Sequence, residues 1–240
     1  MKKWPILILH GWNLNAAKFA LLTDKLQKKG YQAEAIDLPG FGKTVIPDKP
    51  YHLSDYVDFV DSYIKKKRWE AVIIIGHSFG GRIAIKLAAQ NPPYLKALIL
   101  SGAPGYNPVP KYKIIFFLTL AKIGNTVFAL PILRNVKALS RHLLYRAARA
   151  TDFYNTDKNM RDTFKNVIKE ELDDYMKKIQ IPTLLIWGEN DLIVPLYIAK
   201  KMSQTISRAR LEIIKNSRHG VPWTHPKEFV ESINKFLNPK

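Results

Sequence analysis

A chain of 240 residues fits one large domain with its own core, since folding at that size buries roughly 70% of the surface that the unfolded chain exposes. It has no cysteine, which excludes disulfides, thiolate metal sites and cysteine nucleophiles, and it fits a cytoplasmic setting. The net charge of +18 attracts anions of every kind without choosing among them; no nucleic-acid-binding motif accompanies it, so no nucleic acid partner is expected.

Lys2 and Lys3 precede the apolar run Ile6 to Leu9, which is too short for the core of a signal sequence and reads as a first buried strand, Ile6–His10. An amphipathic helix over Lys18–Lys29 and a strand over Ala33–Asp37 follow. Next come a helix over Leu53–Lys67, a strand over Val72–Gly76, a helix over Gly81–Gln90 and a strand over Ala97–Ser101. The strands are nearly continuous apolar runs, as strands covered on both faces of a parallel sheet must be.

From residue 106 to 179 the alternation stops, and apolar and basic helical patterns replace it. Within it, residues 111–149 contain no acid. An insertion of this length predicts a helical cap rather than a loop. The alternation resumes with strand Thr183–Trp187, helix Leu196–Ser203, strand Leu211–Ile214 and helix Pro226–Leu237. The expected fold is α/β: a doubly wound, mainly parallel sheet of about six strands, with residues 1–105 and 180–240 as the core and 106–179 as the cap.

The strand Val72–Gly76 runs into Gly76-His77-Ser78-Phe79-Gly80, and a helix comes next. A serine in a tight strand-to-helix turn, with glycine two residues to either side, is a nucleophile elbow. A serine hydroxyl needs a base to take its proton, and the base needs a carboxylate to orient it. Both stand after later strands, in the order Ser, Asp, His: Asp191 in Gly188-Glu189-Asn190-Asp191, and His219 after Leu211–Ile214. Glu189 and Asp37 are the competing carboxylates. In an open parallel sheet these strand ends share one rim. The backbone N–H groups of Phe79 and Trp12 are the expected oxyanion donors. No His and Asp cluster has metal-ligand spacing, and no cofactor is expected.

At these residues the chain resembles the α/β-hydrolase superfamily along nearly its whole length. The matching blocks are His10-Gly11-Trp12, Asp37-Leu38-Pro39-Gly40-Phe41-Gly42, Gly76 to Gly81, Gly188 to Asp191, and His219 with Pro226-Lys227-Glu228-Phe229. The first block is similar to that of pimeloyl-carrier-protein methyl esterases and C–C bond hydrolases. Such relatives open with an antiparallel hairpin, which is expected to be missing here. The resemblance implies a serine hydrolase of short- to medium-chain carboxylic esters, lactones included, with a pocket lined by Leu14, Val194, Val221, Phe116, Phe117 and Phe128. Alternatives on the same scaffold are a thioesterase or carrier-protein methyl esterase served by an acidic carrier protein, a cofactor-free haloperoxidase or lyase, and a non-enzymatic ligand-binding receptor. The basic, apolar stretch 111–149 also makes an anionic membrane surface a secondary candidate partner.

Overall fold

A computed structural model describes residues 3–106 and 157–238. Its strands are β1 (Ile6–Leu9), β2 (Ala33–Ile36), β3 (Val72–His77), β4 (Leu95–Ser101), β5 (Thr183–Gly188) and β6 (Ala209–Ile214). They form a six-stranded sheet in the order β2-β1-β3-β4-β5-β6. Every pairing is parallel, so the expectation of a doubly wound, parallel α/β sheet of six strands holds among the described residues. The chain moves outward from β1 to β2, then returns to β3 on the other side. The loops leaving β1 and β3 therefore diverge, which opens a crevice at their carboxyl ends.

Alternation along β1 and β3 divides the core in two. Leu7, Leu9 and Ile74 pack on one face, against helices α2 (Leu53–Lys66) and α3 (Phe79–Ala88). Ile6, Ile8, Ile73 and Ile75 pack on the other, against helix α1 (Ala20–Lys28), which a short 3-10 turn at Ala16–Phe19 precedes. The strand core is apolar on both sides because both sides are covered.

Helices α4 (Lys158–Lys169) and α5 (Asp173–Lys178) come from the end of the expected cap. Both are anchored in the first core face through Met160, Val167, Leu172 and Met176. Helix α6 (Leu196–Thr205) completes that face. The short α7 (Val221–Thr224) and α8 (Pro226–Leu237) close the second. Residues 107–156, with Phe116, Phe117, Phe128 and the basic run, lie outside the described residues. Among the described residues no helix is long and apolar enough to cross a membrane.

Candidate active site

Ser78 joins β3 to α3 with φ +50° and ψ −113°, a conformation that side-chain-bearing residues rarely adopt. Such a backbone stores strain of about 1–3 kcal/mol and persists only where its surroundings enforce it. Here the enforcement is steric and hydrogen-bonded. A Cβ on Gly76 would meet Gly81 Cα at 2.7 Å, and one on Gly80 would meet the Leu9 carbonyl oxygen at 2.3 Å. Ser78 N–H donates to the Ser101 carbonyl at 2.9 Å, and Gly80 N–H to the His10 carbonyl at 3.0 Å. The turn is thus stitched to the neighbouring strand end on either side.

The loops after β5 and β6 are equally interlocked. A Cβ on Gly188 would lie 2.3 Å from the Arg218 carbonyl oxygen, and Asn190 N–H donates to the Ser217 carbonyl at 2.9 Å. Asp191, buried in this junction, accepts at Oδ1 from the N–H groups of Ile193 and Val194, both at 2.9 Å. Its Oδ2 lies 2.8 Å from His219 Nδ1. A carboxylate accepts only, so Nδ1 carries the proton, and the neutral ring in this tautomer presents the Nε2 lone pair.

The His219 ring presses on Gly102, where a Cβ would lie 2.6 Å from ring Cε1. Gly102 follows Ser101, the acceptor of the Ser78 N–H, and this puts the ring beside the elbow. Among the described residues Ser78 Oγ makes no hydrogen bond, to His219 or to any other group. Without substrate, the bond between nucleophile and base is often open in enzymes of this kind and tightens when substrate binds.

The loop after β1 touches the serine, since a Cβ on Gly11 would lie 3.3 Å from Ser78 Cβ. Buried His10 braces this loop: its Nε2 accepts from Leu38 N–H at 3.0 Å, and its Nδ1 sits 2.8 Å from the Gly11 carbonyl. Burial lowers its pKa, against smaller opposing pulls from the Gly11 carbonyl and Asp37, so the ring stays neutral and able to accept. The N–H groups of Trp12 and Phe79 have no acceptor among the described residues. One belongs to the residue after Ser78 and the other to the loop that touches it, and unengaged donors in such a place could receive a developing oxyanion.

The rival carboxylates have other work. Asp37 accepts from Ala16 N–H at 2.7 Å and Lys43 N–H at 2.8 Å, and Glu189 accepts from Asn216 N–H at 3.0 Å. Burial pushes the Asp37 carboxyl up, but those two amides and the nearby His10 and Lys43 outweigh it and hold the pKa low. Of the expected lining, Leu14 is half-buried beside Gly11, whereas Val194 and Val221 are buried in opposite core faces. Among the described residues no group of three or more His, Asp or Glu could hold a metal ion.

Two features escape the sequence. His77 is fully buried between His219, at 4.8 Å between ring centroids, and Trp223, at 5.0 Å. Among the described residues neither of its ring nitrogens completes a hydrogen bond, although the Ser101 backbone exerts a weak favourable pull. The second feature is an aromatic cluster around Trp12, joined by Phe164 of α4. Its only sequence signal is an apolar residue on an amphipathic helix.

The family model described as the alpha/beta hydrolase fold matches residues 5–226. A 2-hydroxy-6-oxononadienedioate/2-hydroxy-6-oxononatrienedioate hydrolase of Cupriavidus pinatubonensis is 28% identical over 257 residues, covering 97% of this chain and 86% of its own. Among solved structures, a bromoperoxidase from Bacillus anthracis superposes with a TM-score of 0.76 at 22% identity, over 98% of this chain and 92% of that one. An esterase from Exiguobacterium antarcticum does so with a TM-score of 0.74 at 23% identity, with the same coverage. At such identities the structural likenesses speak for the fold alone.

Proposed function

The chain belongs to the alpha/beta hydrolase fold family, and on that premise we propose that it is a serine hydrolase of carboxylic esters. The observation that carries this reading is the Asp191–His219 hydrogen bond of 2.8 Å, made beside a serine held at φ +50°. Short- to medium-chain acyl esters are the substrates, with lactones open to the same chemistry.

In this mechanism Ser78 Oγ attacks the ester carbonyl carbon and gives its proton to His219 Nε2. Negative charge moves to the carbonyl oxygen, where the N–H groups of Trp12 and Phe79 receive it. Asp191 holds the ring in the tautomer that can act as base and stabilises the imidazolium that forms. Collapse breaks the bond to the alcohol, which leaves with the proton from His219. Water then attacks the acyl-enzyme through the same base, releasing the acid and restoring Ser78.

A fluorophosphonate probe should label the wild type and leave Ser78→Ala untouched. The same substitution should lower kcat on p-nitrophenyl esters by about a millionfold, to the level left by binding and the oxyanion donors. Equal labelling of both proteins, or no turnover on any ester or lactone, overturns the reading. The relative from Cupriavidus pinatubonensis favours one second reading, hydrolysis of a C–C bond in an oxo acid. Turnover of 2-hydroxy-6-oxononadienedioate with no turnover of esters would select it.

A further inference from the structure

Two aromatic groups flank the elbow, and they lie on opposite sides of it. On one side His219 meets His77, which meets Trp223 and Phe19, and those last two belong to or pack against the second core face. On the other side Trp12 meets Phe41 at 4.9 Å, Phe79 at 5.3 Å and Phe164 at 4.9 Å between ring centroids. Phe79 in turn stands perpendicular to Tyr56 at 4.9 Å. Phe41, Tyr56 and Phe79 are buried in the first core face, whereas Trp12 and Phe164 are only half-buried. Trp12 and Phe164 are thus the members of this cluster that keep part of their surface exposed.

The chemistry assigns the two sides. A leaving alcohol takes its proton from His219, so it departs on the His219 side. The acyl group remains on Ser78 with its oxygen at the N–H groups of Trp12 and Phe79, so, opposite the alcohol, it lies toward the Trp12 and Phe79 side of the elbow. Phe164 adds a ring to that side from α4, far away in sequence. Aromatic rings prefer tilted or edge-to-face neighbours at centroid separations of about 4.5–7 Å. The cluster already repeats such contacts, at 79° for Trp12 with Phe41 and 58° for Trp12 with Phe164. A further ring extends the pattern; a saturated chain of equal volume fills the space without the electrostatic match.

We infer that Trp12 and Phe164 determine acyl specificity and that the group they select is a flat aromatic ring. The inference deepens the ester-hydrolase reading and rests on it for the assignment of sides. Calorimetric titration of the full chain with phenylacetate and with cyclohexylacetate, the acid products of two matched esters, tests it without turnover. Wild type should bind phenylacetate about 2- to 10-fold more tightly. Phe164→Leu should bring the two acids to parity, and Phe164→Tyr should keep the preference because it keeps the ring. A wild type indifferent to the two acids, or a Leu variant with undiminished preference, overturns the inference. Loss of preference in the Tyr variant overturns it too, since shape rather than the ring would then decide. Fluorophosphonate labelling reports on Ser78 separately, so failure of the hydrolase reading is told apart from failure of this one.

Discussion

His77 is adjacent to Ser78 in sequence and takes no part in the proton transfers, yet it governs how the fold meets acid. Burial first, and the neighbouring His219 second, hold its pKa well below the ordinary 6.5. The unfolded chain therefore takes up a proton below about pH 6.5 that the folded chain refuses, and stability falls as pH falls. Between pH 7 and 5 this residue should therefore remove stability, by at most about 2 kcal/mol, the full cost of protonating an unfolded imidazole alone. His10, also lowered by burial, acts in the same direction. Urea unfolding of His77→Gln at the two pH values should show a smaller gap than in wild type, by up to about 2 kcal/mol; an equal gap would refute the assignment. At this scale the sequence was informative about which polar residues stand just after strands. Ser78, Asp191 and His219 all stand after strand ends, with a glycine within three residues of each, and the structure brings Asp191 and His219 together at 2.8 Å. The burial of His77 was not legible, because its neighbours Trp223 and His219 are distant in the chain and no local pattern marks them.

Arg82 shows what is lost to sequence at the level of elements. It sits one turn after the serine in α3, 6% exposed, and donates to the Pro104 carbonyl at 2.8 Å, the Val167 carbonyl at 2.9 Å and the Glu170 carbonyl. Pro104 closes the exit from β4, and Val167 and Glu170 close α4, so one guanidinium fastens both ends of the long insertion to the elbow helix. Burial pulls its pKa down to about 10, partly opposed by the Glu170 carboxylate, and it remains charged. Lys86 strengthens the same junction through Glu170 at 2.6 Å. Replacing Arg82 by Met leaves three carbonyls without their donor and should lower stability by about 3 kcal/mol, read as a fall in the urea midpoint with unchanged slope. A change under about 0.5 kcal/mol, the range of ordinary surface substitutions, would show that the clamp is idle. The partners are backbone carbonyls, which every residue has, so no sequence pattern reveals them. The element types followed the expected order, with boundaries shifted by identifiable causes. Helix α3 begins at Phe79 rather than Gly81, because strained Ser78 serves as its cap. Strand β6 begins at Ala209 rather than Leu211, since Arg210 and Glu212 mask an edge strand that is only half-buried.

For the molecule as a whole, the excess of 38 basic over 20 acidic residues is not consumed by pairing. Acids such as Asp24, Asp61 and Glu34 already sit beside Lys28, Lys65 and Lys67, at 2.6 to 2.8 Å, so local neutralisation leaves the surplus lysines to build a net field. Pairs this exposed contribute little to stability, and the surplus acts mainly on what approaches the surface. Its reach is set by salt, about 10 Å at 0.1 M ionic strength and 30 Å at 0.01 M. If an acidic carrier protein delivers the acyl group, kcat/KM for the carrier-bound ester should fall by tenfold or more between 0.01 and 0.3 M salt, as for electrostatically steered encounters. A neutral p-nitrophenyl ester, which the field does not steer, should change by less than about twofold. The contrast between the two substrates is the decisive quantity, because salt effects on the fold or on His219 would move both alike. Parallel salt profiles would remove the charge from the encounter and leave it as a property of the solvated surface alone.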